Sequence, residues 1–222
     1  MGKAVLVTEG DSLLGAALVR LFASKGCAVM STSSAAEPGP ARTTGRTEQP
    51  VRVVTWNRRS PLSARNLLLS TLNAFDGLDE AFILEPPAPP ARPLAEASSA
   101  DIEAAYDDAK GPAFLVREVL ACFAERSAGL LALVSPASAD GALASALREG
   151  FRGLAGSLLS AQVPAGVVVN GFQAAGEGPE EFAAFIDRTL EEKARRISGH
   201  WFVLQPRGGF LQGMFSPSVR KA

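Results

Sequence analysis

The opening of the chain constrains its fold more strongly than any other segment. A strand-like apolar run over residues 4–8 leads through a polar turn into residues 12–25, whose apolar spacing predicts a helix. This order is typical of a βαβ unit that binds a dinucleotide. Such a turn needs glycine for its tight geometry and again where the backbone contacts a pyrophosphate. Glu9 and Leu13 occupy the two positions where these glycines are expected, and only Gly15 is in its place.

The two replacements argue against a cofactor bound at this turn. Glu9 places a negative charge where a diphosphate would lie, and Leu13 places a side chain where the backbone should approach. Gly15 still allows the helix to pack closely on the strand. The turn therefore predicts the fold, and we assign no cofactor-binding residue to this chain.

Strand-like and helix-like segments alternate along the whole sequence. Strands are predicted at residues 4–8, 28–33, 51–56, 80–84, 130–135, 166–172 and 201–204. Helices are predicted at residues 12–25, 61–75, 99–110, 112–127, 140–162 and 178–195. This alternation predicts an α/β protein with a single-domain, Rossmann-like, doubly wound parallel sheet of about seven strands and helices on both faces.

The chain is expected to form one domain over residues 1–222, because no internal repeat or domain boundary is visible. The core is predicted at about 3–209, with residues 210–222 as a C-terminal tail. Two segments, 33–50 and 85–93, are rich in proline or in small polar residues and predict irregular connections. Strand and helix patterns resume after each of them, so neither predicts a linker between domains.

Composition argues against several classes of function. The net charge is −1, so nothing directs the chain to nucleic acid or to acidic lipid. No run of about 18 apolar residues predicts a membrane span, and no signal peptide is visible, so a cytoplasmic location is expected. Cys27 and Cys122 predict free thiols in a reducing compartment. We predict no metal site, and His200, alone on a terminal strand, is better explained by a structural or interfacial role.

In its order of motifs the sequence resembles the short-chain dehydrogenase/reductase family, from Val5 to about Gly209. The matching pieces are Val5-Leu-Val-Thr8 with Gly15, Leu78-Asp79, Arg152-Gly153-Leu154, Val167-Val-Val-Asn170, Ile197-Ser-Gly199 and Gly208-Gly209. They match the family's first strand and turn, the entry to its fourth strand, its long fifth helix, its sixth strand, and its last strand with a closing glycine pair. The resemblance implies the same fold and, in active members, NAD-dependent oxidation of an alcohol or a hydroxyacyl-CoA.

The family's catalytic residues are missing at the matching positions. Active members carry a tyrosine as acid/base and, four residues later, a lysine that lowers the tyrosine pKa and holds the ribose. Counting back from Gly153 places Ala144 at the tyrosine position and Arg148 at the lysine position. Ser135 matches the catalytic serine, and the one tyrosine of the chain, Tyr106, lies in an earlier predicted helix. The resemblance therefore implies that this chain has no catalytic residue.

Other positions that contact cofactor or substrate in the family also differ. NAD-dependent members usually end the second strand with an acidic residue, whereas this chain has serine and threonine at 31–34. The family's Asn-Asn-Ala-Gly stretch is replaced by Ile83-Leu-Glu-Pro86. The connections after the fifth and sixth strands are short, and in active members these regions build the substrate pocket and its lid. We therefore expect the walls of that pocket to be missing.

Several residues allow a second interpretation. Arg148 together with a tyrosine would resemble halohydrin dehalogenases, which need no nicotinamide, but Ala144 removes that tyrosine and favours a solvated or interface arginine. Glu9, Asp11 and Glu85 are candidates for an acidic site. The alternative is that acids near the first turn are favoured by the helix N-terminus, and we prefer that explanation.

The helix predicted at 140–162 suits a subunit interface. It is rich in alanine and glycine, which let helices approach closely, and Leu143, Leu147 and Leu154 recur at helical spacing. In the family the matching helices pair across subunits. The resemblance thus implies contact with a partner through the helices at about 99–127 and 140–162 and the last strand.

The resemblance implies a non-catalytic subunit of a heteromeric NAD-dependent dehydrogenase. The expected partner is an active paralogue, which binds the NAD, and neither nucleic acid nor membrane is expected as a partner. Two alternatives stay open. The chain is either an enzyme with altered chemistry that uses Ser135, Arg148 or the acids near the turn, or a regulatory module that senses a nucleotide.

Overall fold

The computed structural model describes residues 2–33, 51–136 and 141–205. These residues form seven strands: β1 (Ala4–Val7), β2 (Ala28–Ser33), β3 (Val51–Thr55), β4 (Glu80–Leu84), β5 (Gly129–Ser135), β6 (Val167–Ala174) and β7 (His200–Leu204). They also form six α-helices: α1 (Leu13–Ser24), α2 (Pro61–Phe75), α3 (Ser99–Ala109), α4 (Gly111–Arg126), α5 (Ala142–Ser160) and α6 (Pro179–Thr189). A short 3-10 helix at Leu94–Glu96 precedes α3, and a π-helical segment at Leu190–Ala194 continues α6.

The seven strands form one parallel sheet in the order β3-β2-β1-β4-β5-β6-β7. The register places Val7 of β1 beside Phe82 of β4, and Ser135 of β5 beside Gln173 of β6. The predicted doubly wound, Rossmann-like α/β fold is confirmed. The strand order reverses between β1 and β4, and in such sheets ligands bind beyond the carboxyl ends of the strands at this switch point.

Burial on both faces explains why the central strands are almost wholly apolar. Every residue of β1 and β4 is buried, as is nearly all of β5. On one face of the sheet, Val5 and Val7 pack with residues of α1 and α6. On the other face, Leu6 packs with residues of α2, α4 and α5. The alternation of side chains along each strand thus divides the core into two layers.

Local sequence signals set the helix ends. Helix α2 begins at Pro61, behind the N-cap residue Ser60, whose hydroxyl accepts a hydrogen bond from the Ser63 N–H. Helix α1 is followed by Gly26 at a φ of 75°, which glycine adopts without strain. Helix α6 begins at Pro179 with two acidic residues in its first turn, where the helix dipole favours them.

The observed strands and helices agree with the predicted ones to within about two residues at most ends. The exception is the helix predicted at 178–195, whose regular part ends at Thr189 before the π-helical segment begins. The irregular connection predicted at 85–93 is present, whereas most of 33–50 and the tail at 210–222 lie outside the described residues. In the described part of the chain, no helix has the length and apolar character needed to cross a membrane.

Candidate functional site

Two acidic residues border the crevice at the switch point. Glu9 lies two residues beyond β1, and Glu85 directly follows β4. Since β1 and β4 are neighbours in the sheet, both acids lie at its carboxyl edge, where a fold of this kind holds a dinucleotide. The side chains of both acids are buried, at 2% and 8% exposure.

Glu9 has a backbone conformation that glycine adopts more easily. Its φ is 56°, and this left-handed region costs a residue with a side chain about 1–2 kcal/mol. The Glu9 N–H donates a hydrogen bond of 2.9 Å to Thr32 Oγ1, and the Gly10 N–H donates one of 2.8 Å to the Thr32 carbonyl. These bonds fasten the turn to the end of β2, which explains how it forms without the first expected glycine.

Arg58 forms a two-point ion pair with Glu9. Its Nε donates to Glu9 Oε1 at 2.8 Å, and a terminal nitrogen of the guanidinium donates to Oε2. The Arg58 side chain is 10% exposed, so the pair is largely removed from water. Burial raises the pKa of the Glu9 carboxyl, and the hydrogen bonds and charge of Arg58 oppose that rise. The charge of Glu9 is therefore balanced by a guanidinium from the connection after β3.

Four backbone N–H groups of the turn donate hydrogen bonds within the chain. Besides the two that bond Thr32, the Ser12 N–H donates to the Glu9 carbonyl and the Gly15 N–H donates to Ser12 Oγ, both at 2.9 Å. A phosphate at a helix N-terminus relies on such N–H groups. A side chain at Gly15 would place Cβ 1.9 Å from the Glu9 carbonyl oxygen, which confirms the predicted close packing. With these donors bonded and a carboxylate in the turn, the residues present do not fit a dinucleotide pyrophosphate.

Glu85 is the centre of a second buried cluster. Ser135 Oγ donates to Glu85 Oε2 at 2.6 Å, and Arg148 Nε donates to Glu85 Oε1 at 3.1 Å. Ser135 is fully buried, and the Arg148 side chain is only 10% exposed. The interpretation of Arg148 as a solvated arginine is therefore wrong: it is buried against a carboxylate. One carboxylate thus joins Ser135 and Arg148.

The cluster has no tyrosine at the position of the family's acid/base. Ala144, one helical turn before Arg148 on α5, is 4% exposed and carries no proton to transfer. Tyr106 lies on α3 with 51% of its surface exposed. Both Tyr106 and Ala144 line the same cavity as Arg148, and the structure shows no hydrogen bond joining Tyr106 to Ser135 or Arg148 among the residues described.

The acids named as candidates do not form one site. Glu9 and Glu85 pair with different arginines, and Asp11 accepts a hydrogen bond of 3.4 Å from Ser33 Oγ. Within residues 2–33, 51–136 and 141–205, no three histidine, cysteine or acidic side chains are arranged to hold a metal ion. His200 supports the connection between β6 and β7: its Nδ1 lies 2.8 Å from the Ser198 carbonyl oxygen.

A cavity of about 660 Å³ opens beside the Glu85 cluster. The sequence predicts that the walls of the family's pocket are missing. The structure corrects this, because other segments of the chain form walls around a cavity at this place. One wall is the proline-rich connection after β4, most of the rest comes from α3 and α5, and Arg58 and the start of α4 complete the lining. None of its lining residues comes from the connection between β6 and α6, which the family uses for its substrate pocket and lid.

Helices α3 and α5, which lie in the segments predicted to form an interface, both have accessible faces. Helix α3 has no buried residue along its 11 residues, although it packs beside α5. On α5, a Cβ built at Gly150, Gly153 or Gly156 meets no atom within 4 Å, so this face has open space along its length. The predicted contact surface is thus accessible in the single chain.

A comparison with known proteins finds structural similarity but no sequence match. No protein-family profile and no curated protein sequence matches the chain. Among solved structures, levodione reductase is similar, with a TM-score of 0.75 and 15% sequence identity over 91% of this chain and 95% of that one. Levodione reductase is a short-chain dehydrogenase/reductase, and at this identity the similarity shows a shared fold.

Proposed function

We propose that this chain is a non-catalytic subunit of a heteromeric, NAD-dependent short-chain alcohol or hydroxyacyl-CoA dehydrogenase. It assembles with an active paralogous subunit and stabilises it. The NAD and the oxidised substrate belong to that partner. The chain is then a pseudoenzyme: it keeps the sheet and the helices used for assembly, and it has other residues at the catalytic and cofactor-binding positions.

The observation that carries the proposal is the ion pair between Glu9 and Arg58. It is buried at the position where the fold would place the cofactor's pyrophosphate. A bound diphosphate would meet the Glu9 carboxylate and would have to draw Arg58 away from it. Since an unpaired buried carboxylate is costly, the chain favours its own ion pair over the cofactor.

The Glu85 cluster supports the same conclusion at the catalytic positions. Ser135 and Arg148 are both committed to the Glu85 carboxylate, and Ala144 stands where the family has its tyrosine. An alcohol bound here would meet neither the tyrosine nor the lysine that active members use, and the nearby Glu85 carboxylate is already bonded to Ser135 and Arg148.

The accessible faces of α3 and α5 support assembly. Helix α3 has no buried residue, so packing within the single chain stabilises it only weakly. A partner subunit that covers α3 would bury its side chains and stabilise it further. The glycines of α5 allow a partner helix to approach closely. The pattern resembles the inactive subunit of 2-[hydroxy(phenyl)methyl]-succinyl-CoA dehydrogenase, a heteromeric enzyme of anaerobic toluene degradation, where one of two similar subunits is inactive. We propose the same arrangement for this chain: inactive and active subunits together form a hetero-oligomer, for example a heterotetramer.

The experiment is native mass spectrometry of the complex, purified from its own host through a tag on this chain. The proposal predicts a hetero-oligomer with a paralogue that retains tyrosine and lysine, and fewer NAD molecules than subunits. A homo-oligomer that carries one cofactor per chain would overturn it.

A second candidate, an enzyme with altered chemistry, is favoured by one observation. The only tyrosine of the sequence, Tyr106, lines the same cavity as Arg148. This candidate predicts turnover by the purified chain alone, and the change Tyr106→Phe would abolish it. The third candidate, a nucleotide-sensing module, predicts micromolar binding of a nucleotide without turnover.

A further inference from the structure

We infer that residues 206–222, which follow β7 and lie outside the described residues, dock on the chain's own sheet. They cover the face of β7 that carries Trp201 and Val203, and Arg207 pairs with Glu177. This inference goes beyond the proposed function and does not rest on it, because it concerns one chain alone. The outer edge of β7, which is the last strand of the sheet, stays available for the predicted contact with a partner.

Strand β7 is covered on one face of the sheet and accessible on the other. On the first face it packs against α6, and Phe202 is 8% exposed there. On the opposite face Val203 is 43% exposed. Trp201 on that face is half-buried, and its ring lies directly on the backbone of β6 at Gly171. Apolar side chains that covered Trp201 and Val203 would extend the core layer to which Trp201 belongs.

The sequence after β7 suits this accessible face. Residues 206–222 contain four large apolar side chains at helical spacing: Phe210, Leu211, Met214 and Phe215. As a helix these residues would rise about 7.5 Å, which matches the roughly 7 Å between alternate residues of a strand such as Trp201 and Val203. Gly208-Gly209 lies between β7 and the apolar residues, and glycine lets the chain reverse its direction there.

A carboxylate beyond the end of β6 lacks one hydrogen bond. Glu177 Oε2 accepts from the Ala175 N–H at 3.0 Å, whereas Glu177 Oε1 is buried and has no hydrogen-bond partner among the residues that the structure describes. A buried carboxylate oxygen without a donor is costly, so a donor is expected at this place.

Arg207 is positioned to supply that donor. Ala174 of β6 lies beside Leu204 of β7, and Glu177 and Arg207 each follow one member of this pair by three residues. Residues 206–222 contain three basic residues and no acidic one, so the segment as a whole is attracted to a carboxylate. A guanidinium forms strong, charge-assisted hydrogen bonds with such a group. The pair holds the segment where it leaves β7, and the apolar side chains follow onto the accessible face.

The first test measures how well Trp201 is covered. In the full chain with Trp56→Phe, Trp201 is the only tryptophan. Adding Leu211→Ser with Phe215→Ser should increase acrylamide quenching of Trp201 and shift its emission to longer wavelength, because the ring loses its cover. The matched control is Gln212→Ser with Ser216→Ala, since both positions lie on the other side of the predicted helix. Equal quenching in the two double variants would overturn the inference.

The Trp56→Phe change itself alters a buried side chain. If that variant does not fold, the difference between chains with Trp201 and chains with Trp201→Phe isolates the same fluorescence signal.

The second test locates the segment directly. Isotope-labelled and unlabelled chains with Arg207→Lys are mixed and treated with a carbodiimide, which joins an amine to a carboxylate in contact with it. We expect a cross-link between position 207 and Glu177 of the same chain, detected by mass spectrometry. No cross-link to Glu177, or one only between labelled and unlabelled chains, would overturn the inference, because in the second case the segment docks on another copy. Neither test needs a partner, so a chain with a docked segment that forms no heteromer would contradict only the proposed function.

Discussion

At the scale of single residues, two buried ion pairs stand in the crevice where a fold of this kind holds a dinucleotide. Glu9 and Glu85 stand at the carboxyl edge of neighbouring strands, and each holds an arginine. A buried ion pair adds little net stability, but removing one partner leaves an uncompensated charge. A substitution of one partner alone should therefore destabilise the protein. Two predictions concern these positions.

The first concerns the ion pair in the turn. The change Arg58→Met should lower the free energy of unfolding by about 3–5 kcal/mol, because the buried Glu9 carboxylate loses its partner. The double change Glu9→Gln with Arg58→Met should recover most of that loss. Urea denaturation measures both. Arg59→Met is the matched control, since Arg59 is half exposed and its pair with Asp108 contributes little. Equal losses in Arg58→Met and Arg59→Met would refute this account of the turn.

The second prediction concerns the catalytic positions. Restoring the family's pair with Ala144→Tyr and Arg148→Lys should not produce NAD reduction with any secondary alcohol, because Glu9 and the bonded N–H groups of the turn still exclude the pyrophosphate. Absorbance at the NADH wavelength measures the reaction. Activity in this double variant, checked against Ala144→Phe with Arg148→Lys, would mean that the turn admits the cofactor.

At the scale of helices and strands, much was predictable from the sequence. Pro61 after Ser60 and Gly26 after α1 are local signals, so they mark helix ends without knowledge of the rest of the chain. The alternation of apolar runs and helical periods likewise determined the sheet class, because both faces of each central strand are buried.

The site was less predictable, since its contacts join distant parts of the chain. Arg58 lies 49 residues from Glu9, in a polar connection where an arginine is usually solvated. Glu85 meets Ser135 because β4 and β5 are parallel neighbours, and Arg148 reaches the same carboxylate from α5. The sequence does not predict the cavity, because the segments that form the family's pocket are short here and a proline-rich connection supplies a wall instead.

A prediction at this scale concerns the face of α5. Gly153→Trp should leave the melting temperature nearly unchanged, because the new side chain meets open space in the single chain. It should abolish co-purification of the paralogous subunit, since a large ring prevents close approach of helices. Gly178→Trp is the matched control: it also meets no atom within 4 Å, but it lies at the start of α6 on the opposite face of the sheet. If both variants retain the partner, α5 does not form the interface.

At the scale of the whole molecule, a third buried acid ties the amino edge of the sheet to the segment before β7. Glu80 is 3% exposed and accepts hydrogen bonds from Arg195 at 2.8 Å and from Lys3. Burial raises its pKa, but the hydrogen bonds and charges of Arg195 and Lys3 outweigh that effect, so the pKa lies below its ordinary value of 4.5.

The pH dependence of stability follows from this shift. A carboxyl whose pKa is lower in the folded state stabilises the protein above the unfolded pKa, and that contribution is lost as pH falls through the folded pKa. The wild-type free energy of unfolding should therefore decrease as the pH falls below about 4.5. The Glu80→Gln variant should have a smaller free energy of unfolding than the wild type at pH 7. Its free energy of unfolding should also decrease less than that of the wild type as the pH is lowered from 5 through the folded-state pKa of Glu80. Denaturation at several pH values measures this, and parallel curves for the two proteins would contradict it.

The most direct test of the central claim is calorimetric titration of NAD⁺ and NADH into the purified full chain. We expect no heat of binding up to millimolar cofactor, because the chain's own ion pairs and backbone hydrogen bonds occupy the crevice between β1 and β4. Saturable binding of one NAD⁺ or NADH per chain in the micromolar range would contradict it, and would show that Glu9 and Arg58 give way to a pyrophosphate.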